Sequence, residues 1–184
     1  TSSFPSLEYK HFAATKGVRF AREAGTNVAR LGIGLYGFDT APGSASRLRP
    51  VLELRSIIGE LRTIPAGESV GYNATYTAFR ETKVATVPAG YFEGVDRRLS
   101  NKGQVSVRGV LCPIIGRVSM NMTAIDVTEV PQVSIGDTVT LISRDLSLAN
   151  SVPQIAKTVS DKEYRESEYV MLVHIPQHLK RVLE

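Results

Sequence analysis

From Val51 onward, apolar and polar positions alternate in short runs set off by glycine and proline, and each such run predicts a strand with one buried face. Val51 to Ile64 reads as one long strand whose alternation slips near Ser56, the mark of a bulge or bend. Pro65-Ala66-Gly67 turns the chain, and Lys83 to Val87 is the next strand. Asn101-Lys102-Gly103 is a turn before Gln104 to Val107, and Arg108-Gly109 is a tight hairpin connection into Val110 to Ile115. With Met122 to Val127 and Asp137 to Ile142 these make about six short strands, which predicts an antiparallel barrel or sandwich. The period then changes. Ser151 can cap a helix with Pro153 in its first turn, and Val152, Ile155, Ala156 and Val159 share one stripe. Glu163 to His174 reads either as a second helix or as a passage into a final strand through Val170-Met171-Leu172-Val173.

The N-terminal part is patterned differently. Glu8 to Ala13 is strand-like, Thr15 to Ala24 predicts a helix closed by Gly25, and Val28 to Tyr36 is an apolar, glycine-dotted run typical of buried parallel strands. A strand, a helix and another strand do not close a barrel. Residues 1–41 are therefore expected to be the tail of a larger (β/α) domain whose beginning is missing, and 42–184 a β domain, with Asp39 to Arg49 as a linker.

Composition narrows the classes. At 184 residues, 42% hydrophobic and 22% charged, the chain suits an ordinary soluble globular protein with one good core. No apolar run approaches the roughly 20 residues that span a bilayer, and no basic-then-apolar leader is visible at Thr1, so neither membrane nor secretion is expected. The single cysteine, Cys112, excludes an internal disulfide and fits a reducing, cytoplasmic setting; it reads as a small buried side chain. A net charge of +4 carried by scattered basic residues, without clustered lysines, argues against nucleic acid as a partner. His11, His174 and His178 make no zinc-binding spacing with Cys112, so no metal is expected.

Two tyrosines beside glycines stand out: Tyr72 in Val70-Gly71-Tyr72-Asn73-Ala74-Thr75-Tyr76, and Tyr91 in Ala89-Gly90-Tyr91-Phe92-Glu93-Gly94. Such pairs often sit at strand ends, because glycine relieves a bend and tyrosine suits a half-wet surface. The alternative is a phenol held for chemistry. With a free pKa of about 10 it is a poor base at neutral pH unless neighbouring cations lower that value. Arg97, Arg98 and Arg117 are the candidates to do so. Tyr76 and Tyr164 read as packing residues.

The stretch around Tyr72 resembles the signature of the C-terminal domain of alanine racemases. Arg30-Leu31-Gly32-Ile33-Gly34-Leu35-Tyr36-Gly37 before it, and Gly116-Arg117-Val118-Ser119-Met120-Asn121-Met122 with Asp126-Val127-Thr128 after it, extend the resemblance in the family's order from His11 to about Thr140. The implied architecture is mainly β: an antiparallel β-barrel-like C-terminal domain preceded by the last strand, helix and strand of a (β/α)8 TIM barrel. In that family the barrel holds pyridoxal 5'-phosphate as a Schiff base on a lysine, and the C-terminal domain supplies a tyrosine on the opposite face of the substrate α-carbon. The resemblance makes Tyr72 that second base, reaching into the active site of the partner subunit of a homodimer. Arg30 matches the arginine that donates to the pyridine nitrogen, and His11 the histidine behind it. Gly32 and Ile33 match phosphate-contacting amides, and Thr15 a phosphate-contacting hydroxyl; a helix start and the last loops of a (β/α)8 barrel suit an anion on physical grounds as well. Tyr91 and Arg117 match residues of the substrate corridor, and Met120 a methionine whose backbone contacts the substrate carboxylate.

Several positions depart from the family. Asn73 replaces a glycine, and Phe92-Glu93-Gly94 replaces Ala-Asp-Gly. Asn121 replaces an aspartate, which removes a negative charge beside Arg117, and Gln177 lies where many relatives carry a tyrosine. These changes leave room for a polar amino acid such as serine. The Ala-x-x-Lys-Ala segment that carries the Schiff-base lysine is absent, and Lys10 and Lys16 stand in other contexts. The expected function is interconversion of L- and D-alanine, supplying D-alanine for peptidoglycan, by an intact protein that includes the missing barrel half; this chain alone is expected to be inactive. The alternatives are a serine-preferring or broad-specificity racemase, and a non-catalytic β domain kept for dimerisation or binding.

Overall fold

A computed structural model describes residues 7–21, 23–38 and 48–160, and its contacts divide the chain into two units, Thr1–Leu52 and Glu53–Glu184. The readings at Glu163 to His174, Tyr164, His178 and Gln177, and the 39–47 stretch of the linker, lie outside the described residues.

The second unit is β. Its strands are β1 (Leu54–Ile57), β2 (Glu60–Ile64), β3 (Ser69–Val70), β4 (Tyr76–Thr77), β5 (Thr82–Val87), β6 (Gln104–Val107), β7 (Val110–Pro113), β8 (Thr123–Asp126) and β9 (Thr138–Ile142), followed by helix α1 (Val152–Val159). One sheet has the order β1-β9-β6-β7, a second has β2-β5-β8, and every pairing between strands is antiparallel. The two sheets are joined on both sides. At one side β1 runs on into β2 through Ile58 and Gly59, whose amides donate to Asp137 O and Thr86 O, each at 2.9 Å. At the other, Ile114 bridges Ile125 and Ile115 N donates to Ala124 O at 3.0 Å. A sheet continued on itself in this way leaves little exposed strand edge. The run predicted as one strand from Val51 to Ile64 is thus two strands in different sheets; the slip near Ser56 precedes the break at Ile58, and the register also shifts between Leu54 and Arg55.

The period of two places Val84, Val105, Val107, Val139 and Leu141 inside, and α1 buries Val152, Ile155 and Ala156. Arg108 and Gly109 both have positive φ, 50° and 80°, as a two-residue hairpin turn requires. Ser151 stands at the predicted helix start, but its hydroxyl donates to Leu146 O rather than capping the helix. Cys112 is buried, as expected, and burial followed by the charge of Asp126 pushes its thiol up to about 11. Beneath β3 and β4 lies a cluster of Ile64, Val70, Ala78, Val84 and Ile115, against which Tyr76 packs. That cluster is the floor of the turn that presents Tyr72.

The first unit departs from expectation. In place of a helix from Thr15 to Ala24 there is a 3-10 turn over Thr15–Phe20 with no buried residue. Gly17 and the β-branched Thr15 and Val18 are weak helix formers, and most helical stability comes from packing an apolar face that is absent here. Gly25, at φ 65°, does end the segment, with Thr26 N donating to Ala21 O at 3.0 Å. In place of a buried strand from Val28 to Tyr36, only 28–30 run beside 10–13, held by bonds such as Val28 N to Lys10 O and Arg30 N to Ala13 O, each 3.2 Å. A 3-10 turn over Ile33–Tyr36 follows, with Leu31 and Leu35 exposed. A parallel strand is buried by strands on both sides and helices on both faces, and no such layers are present among the described residues.

Candidate functional site

In the β domain, three loops are brought together. The first is the turn between β3 and β4. Gly71 (φ 78°, ψ −179°) adopts a conformation open essentially to glycine alone, and Asn73 (φ 63°) and Ala74 (φ 47°) are left-handed. Asparagine tolerates that region, so Asn73 in place of a glycine preserves the turn. A tight turn of this kind leaves its first side chain nowhere to pack inward: Tyr72 is 68% exposed, while Tyr76 packs against the cluster below.

The second loop carries Gly116 (φ 73°), Arg117 and Met120. It lies backbone against backbone with the first. A Cβ on Gly71 would come 3.1 Å from Arg117 N, and one on Gly116 would come 2.8 Å from Val70 O. Two glycines facing each other therefore set the spacing between Tyr72 and Arg117.

The third loop carries Tyr91. Gly90 is buried against Ser119 and Met120, Tyr91 N donates to Ser119 O at 3.0 Å, and Phe92 N donates to Met120 O at 2.8 Å. Glu93, the bulkier acid of the departing motif, turns back so that its carboxylate accepts from Gly90 N at 2.8 Å, and Thr123 donates to Ala89 O at 2.7 Å from a buried position. The guanidinium of Arg97 sits 5.7 Å above the Tyr91 ring, a cation–π contact. Asn121 is exposed in the turn closed by Ser119 N to Met122 O, at 2.9 Å. Tyr72, Tyr91, Arg117 and Met120 thus stand exposed on loops locked to one another, with Phe92 and Met122 adding apolar surface.

Arg98 differs from Arg97. It grips Asp96 through Nη2 at 2.7 Å and Nε, and reaches Val159 O at 3.4 Å, so its charge is committed to a local pair. Burial alone would raise the Asp96 carboxyl, but the side-chain and backbone hydrogen bonds and the charge of Arg98 outweigh it and hold the group below its ordinary value of 3.8. Asp137, bonded by Arg108 and Ser134 N, and Asp145, bonded by Ser147, are also lowered. A carboxylate lowered on folding stabilises the fold at pH values above its unfolded pKa, about 3.9, and that contribution is lost as pH falls through the folded value. Thermal melts from pH 7 to 2.5 should therefore be flat down to about pH 4 and then fall, and Asp96→Asn should flatten the acid limb. Equal slopes in the two proteins would contradict this.

The other sequence-derived candidates lie in the first unit. The Thr15 hydroxyl accepts from Gly32 N at 3.2 Å and Gly34 N at 3.3 Å, so two amides converge on one oxygen. Gly34 permits this, because a Cβ there would come 2.7 Å from Thr15 Cγ2, whereas a Cβ on Gly32 meets nothing within 4 Å. Arg30 is held by its own amide on Ala13 O and by Nη2 on Phe12 O, 3.2 Å each, with exposed His11 one residue before Phe12. Ile33 opens the 3-10 turn that follows Gly32.

Sequence reasoning missed Ser100, Asn101, Glu93 and Gly90 as the parts that hold these loops. Asn101 read only as a turn residue, because its side-chain partners lie 15 and 26 positions away and leave no local pattern. Among the described residues no group of three or more His, Cys, Asp or Glu is placed to hold a metal ion, and no helix is long and apolar enough to cross a membrane.

These features define a small closed β domain with a phenol, a guanidinium and methionines exposed on interlocked loops. A family model described as alanine racemase, C-terminal domain, matches residues 51–183, and the chain belongs to that family. The alanine racemase of Sorangium cellulosum is 42% identical over 142 residues, which cover 72% of this chain and 38% of that protein. That of Halothermothrix orenii is 38% identical over 160 residues, covering 86% of this chain and 42% of the relative. The crystal structure of alanine racemase from Bartonella henselae with covalently bound pyridoxal phosphate matches with a TM-score of 0.72 at 28% identity, over 89% of this chain and 44% of that one. The chain spans about two-fifths of the length of these curated relatives.

Proposed function

We propose that this chain is the C-terminal part of a pyridoxal-phosphate-dependent amino-acid racemase that interconverts L- and D-alanine, with 1–41 as the end of the cofactor barrel and 42–184 as the β domain. The observation that carries the reading is the Tyr72 phenol, exposed on a turn that glycine contacts lock beside Arg117, in a chain of the alanine racemase family. A phenol so held can take up or return a proton at the substrate α-carbon on one face.

The residues of the first unit fit the cofactor. Gly32 N and Gly34 N, on either side of Ile33, gather on the Thr15 hydroxyl, and a cluster of backbone amides with a hydroxyl suits an anionic phosphate oxygen, so Thr15, Gly32 and Ile33 would hold that group. Arg30, steadied by the carbonyls of Phe12 and Ala13 and with His11 behind it, would face the pyridine nitrogen. When bound, pyridoxal phosphate supplies a conjugated ring that stores the electrons released as the α-hydrogen leaves. Arginine has no lone pair to accept the ring nitrogen's proton, which makes the ring a weaker sink and increases the demand for well-placed bases. Met120 already gives its carbonyl to Phe92 N, so the contact it would offer a substrate carboxylate is its N–H. Tyr91, Arg117 and Asn121 would line the approach, in a homodimer whose subunits share each active site.

The lysine base would come from a barrel half outside this sequence, so the chain alone is proposed to be inactive. The physiological role proposed is cytoplasmic supply of D-alanine for peptidoglycan. Asn121, uncharged where the family commonly carries aspartate, would together with the other departures leave room for a preference for serine. Adding pyridoxal phosphate to the isolated chain should give neither the visible absorbance of lysine-bound cofactor nor racemisation of L-alanine. Joined to a lysine-bearing barrel half, it should give both, with alanine turned over faster than serine. A joined protein that holds the cofactor but racemises nothing would favour the non-catalytic β module.

A further inference from the structure

After Leu99 the chain turns through Ser100 and Asn101, and neither side chain serves only its own turn. Asn101, at φ 58°, uses both ends of its amide: Oδ1 accepts from Gly116 N at 2.6 Å, and Nδ2 donates to Thr75 O at 3.2 Å and Thr75 Oγ1 at 3.3 Å. Ser100 Oγ accepts from Val118 N at 3.0 Å and donates to Arg97 O at 2.6 Å. Gly116 and Val118 bracket Arg117, Thr75 closes the turn that presents Tyr72, and Arg97 lies over Tyr91. The amides of Gly116 and Val118 belong to buried residues outside any strand, where an unpaired N–H is costly. β3 and β4 have two residues each, too few for a ladder to hold the turn by itself.

We infer that Ser100 and Asn101 are positioning residues, tying the Tyr72 turn to the Arg117 segment so that phenol and guanidinium keep one relative placement. The purpose of the tie rests on the racemase reading; its geometry does not. Position 101 needs a donor and an acceptor on one short planar group and a left-handed backbone, and asparagine meets all of these. Aspartate keeps the backbone and the acceptor for Gly116 N but has no donor for Thr75, and it sets a carboxylate against Thr75 O.

Amide hydrogen exchange on the whole 184-residue chain separates the two ties. Asn101→Asp should speed exchange over 71–76 by about fivefold while leaving 116–119 within about twofold, and Ser100→Ala should do the reverse. Either variant reads alone if the other does not fold. Val105→Ala, a buried core change on β6 that removes neither tie, is the reference for general destabilisation. If neither variant loosens its own loop more than Val105→Ala does, the inference is overturned. In the chain joined to a lysine-bearing barrel, Asn101→Asp should lower kcat while the KM for alanine and the cofactor absorbance stay near wild type. A loosened turn with unchanged kcat would overturn the positioning role. A wild-type joined protein without racemase activity would overturn the racemase reading, and the exchange result would then decide the tie by itself.

Discussion

Tyr72→Phe, made in this chain joined to a lysine-bearing barrel, is expected to lower racemisation of alanine by ~10²–10⁴-fold, the range for loss of a positioned acid–base group. The substitution removes one oxygen from a side chain that is 68% exposed and rests on a turn set by backbone contacts, so stability should change by less than about 0.5 kcal/mol. Chemistry and folding are thereby separated at one site. Two bases on opposite faces of the α-carbon also predict an asymmetry. The remaining base should still exchange the α-hydrogen of one enantiomer with solvent deuterium, while the other enantiomer stays unlabelled. Labelling of both at wild-type rates, or unchanged turnover, would remove Tyr72 from the reaction and favour a β domain kept for dimerisation or binding.

Gly90→Ala is expected to have the largest effect on stability, about 2–4 kcal/mol, because overpacking and two disturbed hydrogen bonds act together. A Cβ at this buried position would overlap Ser119 O and come within 2.6 Å of Met120 C and O, all backbone atoms that no rotamer change can move. Relief requires parting 90–92 from 119–120, at the expense of the Tyr91 N to Ser119 O and Phe92 N to Met120 O bonds. The melting temperature should fall by roughly 4–16 °C. Gly67→Ala is the control: at φ 91° with nothing within 4 Å it tests backbone preference without a clash, at about 1 kcal/mol. Equal losses in the two variants would mean that the close approach at Gly90 does not govern stability.

Much of the β domain was readable beforehand. The hairpin through Arg108-Gly109, the strand from Lys83 to Val87 and the stripe of Val152, Ile155 and Ala156 follow from period and turn chemistry, which are properties of neighbouring residues. The slip near Ser56 was visible too, but the transfer of the chain from β9 to β5 across Ile58 and Gly59 was not, since it depends on partners far along the chain. In the first unit the same local signals overshot. The periods of 15–24 and 28–36 call for a helix and a buried strand, and with no layers to bury them among the described residues they form 3-10 turns and a short extended pair.

The candidate site divides along the same line. The sequence by itself determined the residue types that the proposed chemistry needs: a tyrosine between a glycine and an asparagine, an arginine after a glycine, and a threonine ahead of Gly32 and Gly34. Only the tertiary structure decided that Gly71 faces Gly116, that Glu93 folds back on Gly90, and that Asn101 joins Thr75 to Gly116. The physical reason is one of range. Backbone preference and amphipathic period act over a few residues and are written in the order of the chain, whereas steric contact and hydrogen bonding across loops arise only once distant segments have been brought to within a few ångströms.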